Sequence, residues 1–234
     1  MDNRAAFSLV KRGGRLERQL SVVWVAAFLA VAPLWAAAGV NDLIQKVEDR
    51  YNHAKTLTVQ FVEEYDFEGH HRPSESGTLV LKKAGKMRWD YTQPEGKVFV
   101  SDGKNVYLYL AEDNRVEKVP LKATEDMRAP LAFLLGRLDL KKEFRDFQVH
   151  PGEGGTWLEA AAKTNQVPYE KVEMLVAPDG AIHNLKVEGR DGSVLSFAFR
   201  DEKLNLPVSD SVFHFVIPPG AEVVDSVDFV QQER

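Results

Sequence analysis

Residues 77–110, GTLVLKKAGKMRWDYTQPEGKVFVSDGKNVYLYL, alternate in a way that leaves few folds open to this chain. Gly77, Leu79, Leu81 and Lys83, then Met87, Trp89 and Tyr91, fall on odd positions; Thr78, Val80 and Lys82, then Arg88, Asp90 and Thr92, fall on even ones. A period of two puts each set on its own face of a strand. The stretch therefore reads as antiparallel strands with one apolar and one solvated face. The break Ala84-Gly85-Lys86 sets the register. A two-residue loop at Ala84-Gly85 brings Leu81 onto the face of Arg88, whereas a three-residue loop sets Leu81 opposite Trp89 and Leu79 opposite Tyr91. Because a slip of one residue turns every side chain over, the odd-length loop is expected. Thr92-Gln93-Pro94-Glu95-Gly96 turns the chain again, and Asp102-Gly103 is expected to form a hairpin turn with positive φ at both residues. The product is a curling antiparallel meander with a wide apolar inner face.

Ahead of this meander, Arg4, Lys11, Arg12, Arg15 and Arg18 form a basic lead. Residues 20–35 are apolar, and Ala36-Ala37-Ala38 offers an A-x-A cleavage site. That order is the layout of a secretory signal peptide, here residues 1–38, and the apolar run is shorter than the roughly 20 residues of a membrane span. The segment carries five of the 30 Lys+Arg and two of the 35 Asp+Glu, so residues 39–234 hold 25 and 33, a formal charge of −8. Such a balance argues against nucleic acid, which needs a basic footprint, and against adhesion to anionic lipid. The chain has no cysteine. An exported protein of this kind relies on its core without disulfides, and it lacks the cysteine that a lipid-anchored lipoprotein needs.

The remaining segments fit one domain, residues 39–234. Val40, Leu43, Ile44, Val47 and Tyr51 recur at helical spacing, which predicts an amphipathic helix over 40–55 with Asn41 as its N-cap. Leu57, Val59, Phe61 and Tyr65 then alternate as a strand. Pro130 suits the first turn of a second helix over 129–138, and Leu131, Phe133, Leu134, Leu135 and Leu138 surround that helix on most sides. From residue 147 onward the pattern is strands and Gly-rich turns, with residues 213–217 as the expected last strand.

No apparatus for chemistry emerges. There is no G-x-S-x-G, no phosphate-binding Gly-Lys-Ser/Thr loop and no H-E-x-x-H. Adjacent His70 and His71 point apart on an extended chain, with no third ligand at a matching spacing. Glu63, Glu64 and Asp66 read as solvated charge on or beside a strand. No enzyme, metal or cofactor is expected. What is left is apolar surface in excess of what two helices cover, and an apolar cavity with a movable lid is a lipid-binding device.

The order of a G-x-L-x-L-x-[KR] strand from Gly77, an R-W-x-Y strand at Arg88, a Pro turn, and V-S-D-G-K-x-[VL]-[WY]-x-Y from Val100 resembles the LolA family of periplasmic lipoprotein carriers. The likeness extends more weakly from Val40 to the C-terminal end. It implies an α+β fold, an incomplete (half-open) antiparallel β-barrel whose curved sheet has helices across its concave face. It also implies an acyl-chain cavity lined by Phe61, Leu79, Leu81, Met87, Trp89 and Phe99, with Phe133 and Leu134 pressing on it from a lid. By the same resemblance the partners are lipoprotein cargo, an inner-membrane ABC transporter that loads the carrier and an outer-membrane receptor that unloads it. A monomer in the periplasm is implied. The family's lid-holding arginine is matched in position by Lys83, which has three rotatable donors in place of a planar fork; Arg88 is the next candidate, and Lys83 reads equally as a solvated residue. The glutamine of the family's F-x-Q strand is Glu63 here. The alternative function is a lipid-sensing or envelope-stress regulatory domain of the same fold.

Overall fold

Strand β1, Thr56–Phe67, is the spine of a 13-stranded sheet among the described residues of the computed structural model, which are 34–83, 85–121 and 138–225. All of them lie in the unit Pro33–Arg234. On one side of β1 come β3 (Glu75–Lys82), β4 (Lys86–Gln93), β5 (Lys97–Asp102), β6 (Asn105–Leu110) and β7 (Arg115–Pro120), each antiparallel to the last. On the other side come β12 (Ser193–Leu204), β11 (Ile182–Gly189), β10 (Tyr169–Val176), β9 (Gly155–Ala162) and β8 (Phe144–Gly152). A two-residue strand, β2 (His70–His71), folds back on the tip of β1. The last strand, β13 (Glu222–Asp225), joins β7 in parallel. The order runs from β13 to β8 without returning, so the sheet is mostly antiparallel and unclosed. Of the two helices among the described residues, α1 (Leu34–His53) is long and α2 (Leu140–Glu143) is a single turn.

The alternation expected from the sequence is the pattern of burial. Leu79 and Leu81 on β3, Met87, Trp89 and Tyr91 on β4, and Phe99 on β5 are all buried in one cluster. From the far half of the sheet, Leu158, Met174, Leu185 and Phe197 join the same cluster. Ile44, Val47 and Tyr51 enter it from α1 at helical spacing, so one apolar stripe of the helix closes onto the inner face of the sheet. Full burial of a Leu, Phe or Met contributes about 1.5–3 kcal/mol relative to exposure. The core thus spans both halves of the sheet, with β1 between them.

The hairpin between β3 and β4 keeps the expected parity and shifts the expected partners. Lys82 pairs with Lys86, so the three-residue loop is 83–85 and not 84–86. Leu81 faces Met87, Leu79 faces Trp89 and Gly77 faces Tyr91, a displacement of two residues that leaves every side chain on its expected face. Gly85 supplies the reason: with φ +71 it takes the left-handed position that ends a three-residue hairpin loop. Gly77 has a different role, since a Cβ there would meet Asp90 O at 2.1 Å, and its absence lets β4 lie close.

Three other expectations are corrected. The β5–β6 turn is Gly103-Lys104, with positive φ at Gly103 and not at Asp102, because the Asp102 carboxylate accepts from the Lys104 and Asn105 amides and holds the turn from outside. Helix α1 starts at Leu34, not at Asn41, so Asn41 is an interior helical residue and the Ala36-Ala37-Ala38 segment is helical here. Residues 213–217 are not a strand. Asp210–Phe213 forms a 3-10 turn that packs on β4 and β5, burying Phe213, and Phe215 stacks on Tyr107 at 5.3 Å. This segment covers the sheet face opposite α1, where alternation alone left Val80 and Val100. The expected helix over 129–138 lies outside the described residues except for Leu138.

Candidate apolar binding core

The inner face of β1, β3, β4 and β5 brings six predicted lining residues together. Phe61, Leu79, Leu81, Met87, Trp89 and Phe99 are each no more than 2% exposed. Phe61 is their hub: its ring meets Trp89 edge-on at 4.7 Å and Tyr91 edge-on at 5.1 Å. Trp89 reaches across to Phe197 of β12 at 5.4 Å, which ties the two halves of the sheet. Edge-to-face aromatic pairs of this kind contribute about 0.5–1.5 kcal/mol beyond the area they bury. Phe133 and Leu134 lie outside the described residues.

Glu63 and Trp89 each bring a polar atom into this apolar surface. Glu63, expected to be solvated, is only 6% exposed, and the Tyr91 hydroxyl donates to its Oε2 at 2.8 Å. The alternation itself carried this signal, because Glu63 shares its parity with Leu57, Val59 and Phe61; charge masked it. Beside the pair, Lys97 lies 4.4 Å above the Tyr91 ring and forms an ion pair with Glu75, the residue across from Glu63 on β3. Trp89 Nε1 is a buried donor with no hydrogen-bond partner among the described residues.

Helix α1 is held over the core by its last two turns. Tyr51 donates to Glu202 Oε2 at 2.8 Å and accepts from the Ile182 amide at 2.9 Å. Burial first, and then the Glu202 charge, push the Tyr51 phenol up from its ordinary value. Arg50 donates to Glu202 Oε1 from Nε at 2.9 Å and Nη2 at 2.7 Å, and reaches Asp179 Oδ2 at 3.2 Å. Asn52 Nδ2 donates to Leu138 O at 2.8 Å while Leu138 N donates to Asn52 Oδ1 at 2.7 Å. Glu48 accepts from the Leu140 amide at 2.7 Å. None of these anchors was read from the sequence, because each joins residues more than 80 positions apart.

The two latch candidates go to different places. Lys83 Nζ donates to the Asn52 carbonyl at 2.6 Å, satisfying a helix C-terminal acceptor. Lys83 is therefore one residue from the clamp on Leu138. Arg88 points the other way, to the face opposite α1. It binds the Asp90 carboxylate at 2.7–2.9 Å and donates to Val212 O at 3.3 Å, so its contacts hold the C-terminal segment. Among the described residues no His, Cys, Asp or Glu group is arranged to hold a metal, and no helix is long and apolar enough to cross a membrane.

The family model described as outer membrane lipoprotein carrier protein LolA matches residues 52–216. The chain belongs to the LolA family. Its match runs from the last turn of α1 through the segment 210–216 that packs on β4 and β5, so it takes in Phe61, Trp89, Tyr91, Phe99 and Phe197 and both Lys83 and Arg88. An outer-membrane lipoprotein carrier protein of Methylobacillus flagellatus is 27% identical over 203 residues, covering 84% of this chain and 98% of that one. Its counterpart in Dechloromonas aromatica is 26% identical over 202 residues, covering 85% and 94%. Among solved structures, a LolA superfamily protein from Nitrosomonas europaea aligns with TM-score 0.42 and 11% identity over 75% of this chain and 97% of its own.

Proposed function

We propose that this protein is a periplasmic carrier that takes lipoprotein acyl chains into the core between α1 and the sheet and ferries them from the inner to the outer membrane. Membership of a lipoprotein-carrier family supports the reading, and the observation that carries it is the core itself. Phe61, Leu79, Leu81, Met87, Trp89 and Phe99 present one continuous apolar face to a helix that is pinned by polar bonds at one end. On this reading the sheet is a half-open barrel with helical cover on its concave face, and the described core is its closed, empty form. Acyl chains enter when the cover moves. Phe133 and Leu134 belong to that cover, and Lys83 acts on it through Asn52, whose side chain holds Leu138.

An inner-membrane ABC transporter loads the carrier and an outer-membrane lipoprotein receptor unloads it, with no covalent step and no cofactor. The protein acts as a monomer after loss of residues 1–38. The test is recovery of the protein from the envelope of its host by osmotic shock, followed by mass spectrometry of what comes with it. Diacylated or triacylated lipoprotein is the expected passenger. An envelope preparation holding the protein but no lipid or lipopeptide on it, even when outer-membrane delivery is blocked, would overturn the reading.

A further inference from the structure

Trp89 is the largest wholly buried side chain in the core, and its Nε1–H is one of two buried side-chain polar atoms without a hydrogen-bond partner among the described residues, the other being Arg115 Nε on β7. Indole nitrogen is a donor only, so it needs an acceptor and accepts nothing itself. Buried donors in folded proteins almost always have a partner. The neighbouring polar groups follow that rule: Tyr91 donates to Glu63, and Tyr51 bonds both Glu202 and the Ile182 amide. Ring packing does not require the nitrogen. A phenylalanine at position 89 keeps an aromatic ring facing Phe61 and Phe197 without burying an orphan. Among the described residues, the ring partners Phe61 and Phe197 and the cross-strand residues Leu79 and Phe99 carry no side-chain acceptor.

We propose that the Trp89 indole N–H is the donor that receives the carbonyl oxygen of a bound acyl group, ester or amide, so that this core selects acyl chains over alkyl chains of equal length. The proposal rests on the acyl-carrier reading above and deepens it. A purely aliphatic ligand offers nothing to an N–H, whereas an acyl chain brings one strong acceptor at its head. The apolar surroundings strengthen that single bond, because no water competes for it. The empty protein holds an unsatisfied donor, and the loaded one does not.

The experiment uses protein purified from cells that express the full chain, and reads displacement of a fluorescent diacylated lipopeptide. The competitors are an unlabelled diacylglyceryl peptide, its dialkyl ether twin of equal chain length, and an N-acyl peptide. Wild type is expected to prefer one or both carbonyl lipids over the ether by about three- to tenfold, the worth of one net hydrogen bond; the ester and amide arms say which carbonyl is held. Trp89→Phe is expected to bind all three alike while melting no lower than wild type. Equal affinity of wild type for carbonyl and ether lipids overturns the proposal and leaves the carrier reading standing. Failure of every lipid to displace the probe, or of the probe to bind, overturns both. Should Trp89→Phe not fold, the wild-type indole proton is read by NMR: a downfield shift on loading the carbonyl lipid but not the ether supports the bond, and no shift with either overturns it.

Discussion

Asn52 and Leu138 hold each other by two hydrogen bonds, Asn52 Nδ2 to Leu138 O at 2.8 Å and Leu138 N to Asn52 Oδ1 at 2.7 Å. The amide side chain thus serves the Leu138 backbone as a strand partner would, giving it one donor and one acceptor. Lys83 bonds to the carbonyl of the same residue. Removing the Asn52 side chain strands a donor and an acceptor on a residue that is 3% exposed. Asn52→Ala is expected to destabilise the protein by about 2–6 kcal/mol, from two unsatisfied groups at about 1–3 kcal/mol each. Asn52→Asp keeps the acceptor and loses less. Urea denaturation measures both, and hydrogen exchange at the Leu138 amide should rise in step; an unchanged exchange rate in Asn52→Ala would show that the Asn52 side chain does not protect this backbone.

The Tyr91–Glu63 bond places a carboxylate inside an aromatic core. Tyr91→Phe takes a donor from a buried carboxyl group and is expected to cost about 1–3 kcal/mol, the range for a buried group left short of a partner. Glu63→Gln keeps an acceptor for Tyr91, so its expected cost is smaller. Loss of less stability in Tyr91→Phe than in Glu63→Gln would show that Glu63 depends on its other contacts and not on this one.

Tyr169 gives the protein a dependence on alkali. Burial, and then the nearby Glu143 charge, push its phenol up to about 12 from 10.0. A group whose pKa is raised on folding contributes stability that is whole below its unfolded pKa and is lost as pH rises through the folded one. The window is therefore pH 10 to about 12, with a slope of about 1.4 kcal/mol per pH unit. Tyr51, raised by burial and by Glu202, adds to the fall in the same direction. Urea midpoints at pH 9, 10 and 11 should drop for wild type and drop less steeply for Tyr169→Phe. Parallel curves for the two proteins would assign the alkaline loss to other groups.

Release of cargo concerns Phe133 and Leu134. Each buried CH₂ of an acyl chain contributes about 0.8 kcal/mol, so a carrier must offset that gain to let go. On the proposed function, these two lid residues occupy the core when it is empty and are displaced when it is full. Phe133→Ala with Leu134→Ala is expected to slow dissociation of a fluorescent acylated peptide, with loading intact. Melting comes first, because each truncation of a core residue costs about 2–5 kcal/mol. Faster dissociation from a folded double variant would make the lid a clamp on the cargo and not its competitor.

The sequence by itself determined which face each side chain takes. Leu79, Leu81, Met87, Trp89, Phe61 and Phe99 all carry the parity of the buried face, and an alternation of period two is a local property that needs no partner to define it. Odd loop length between β3 and β4 followed from the same parity. Its position did not, since loops at 83–85 and 84–86 both join the apolar faces, and Gly85 with its left-handed φ made the choice. Tertiary structure alone decided what meets what. Glu63 reads as a surface charge until Tyr91 arrives from two strands away. Residues 213–217 have the composition of a strand, yet they pack across β4–β6 because the opposite face of the sheet also had apolar surface to bury. Hydrogen bonds such as Asn52–Leu138 and Tyr51–Glu202 join positions far apart in the chain, and short-range periodicity holds no record of contacts that exist only once the chain has closed on itself.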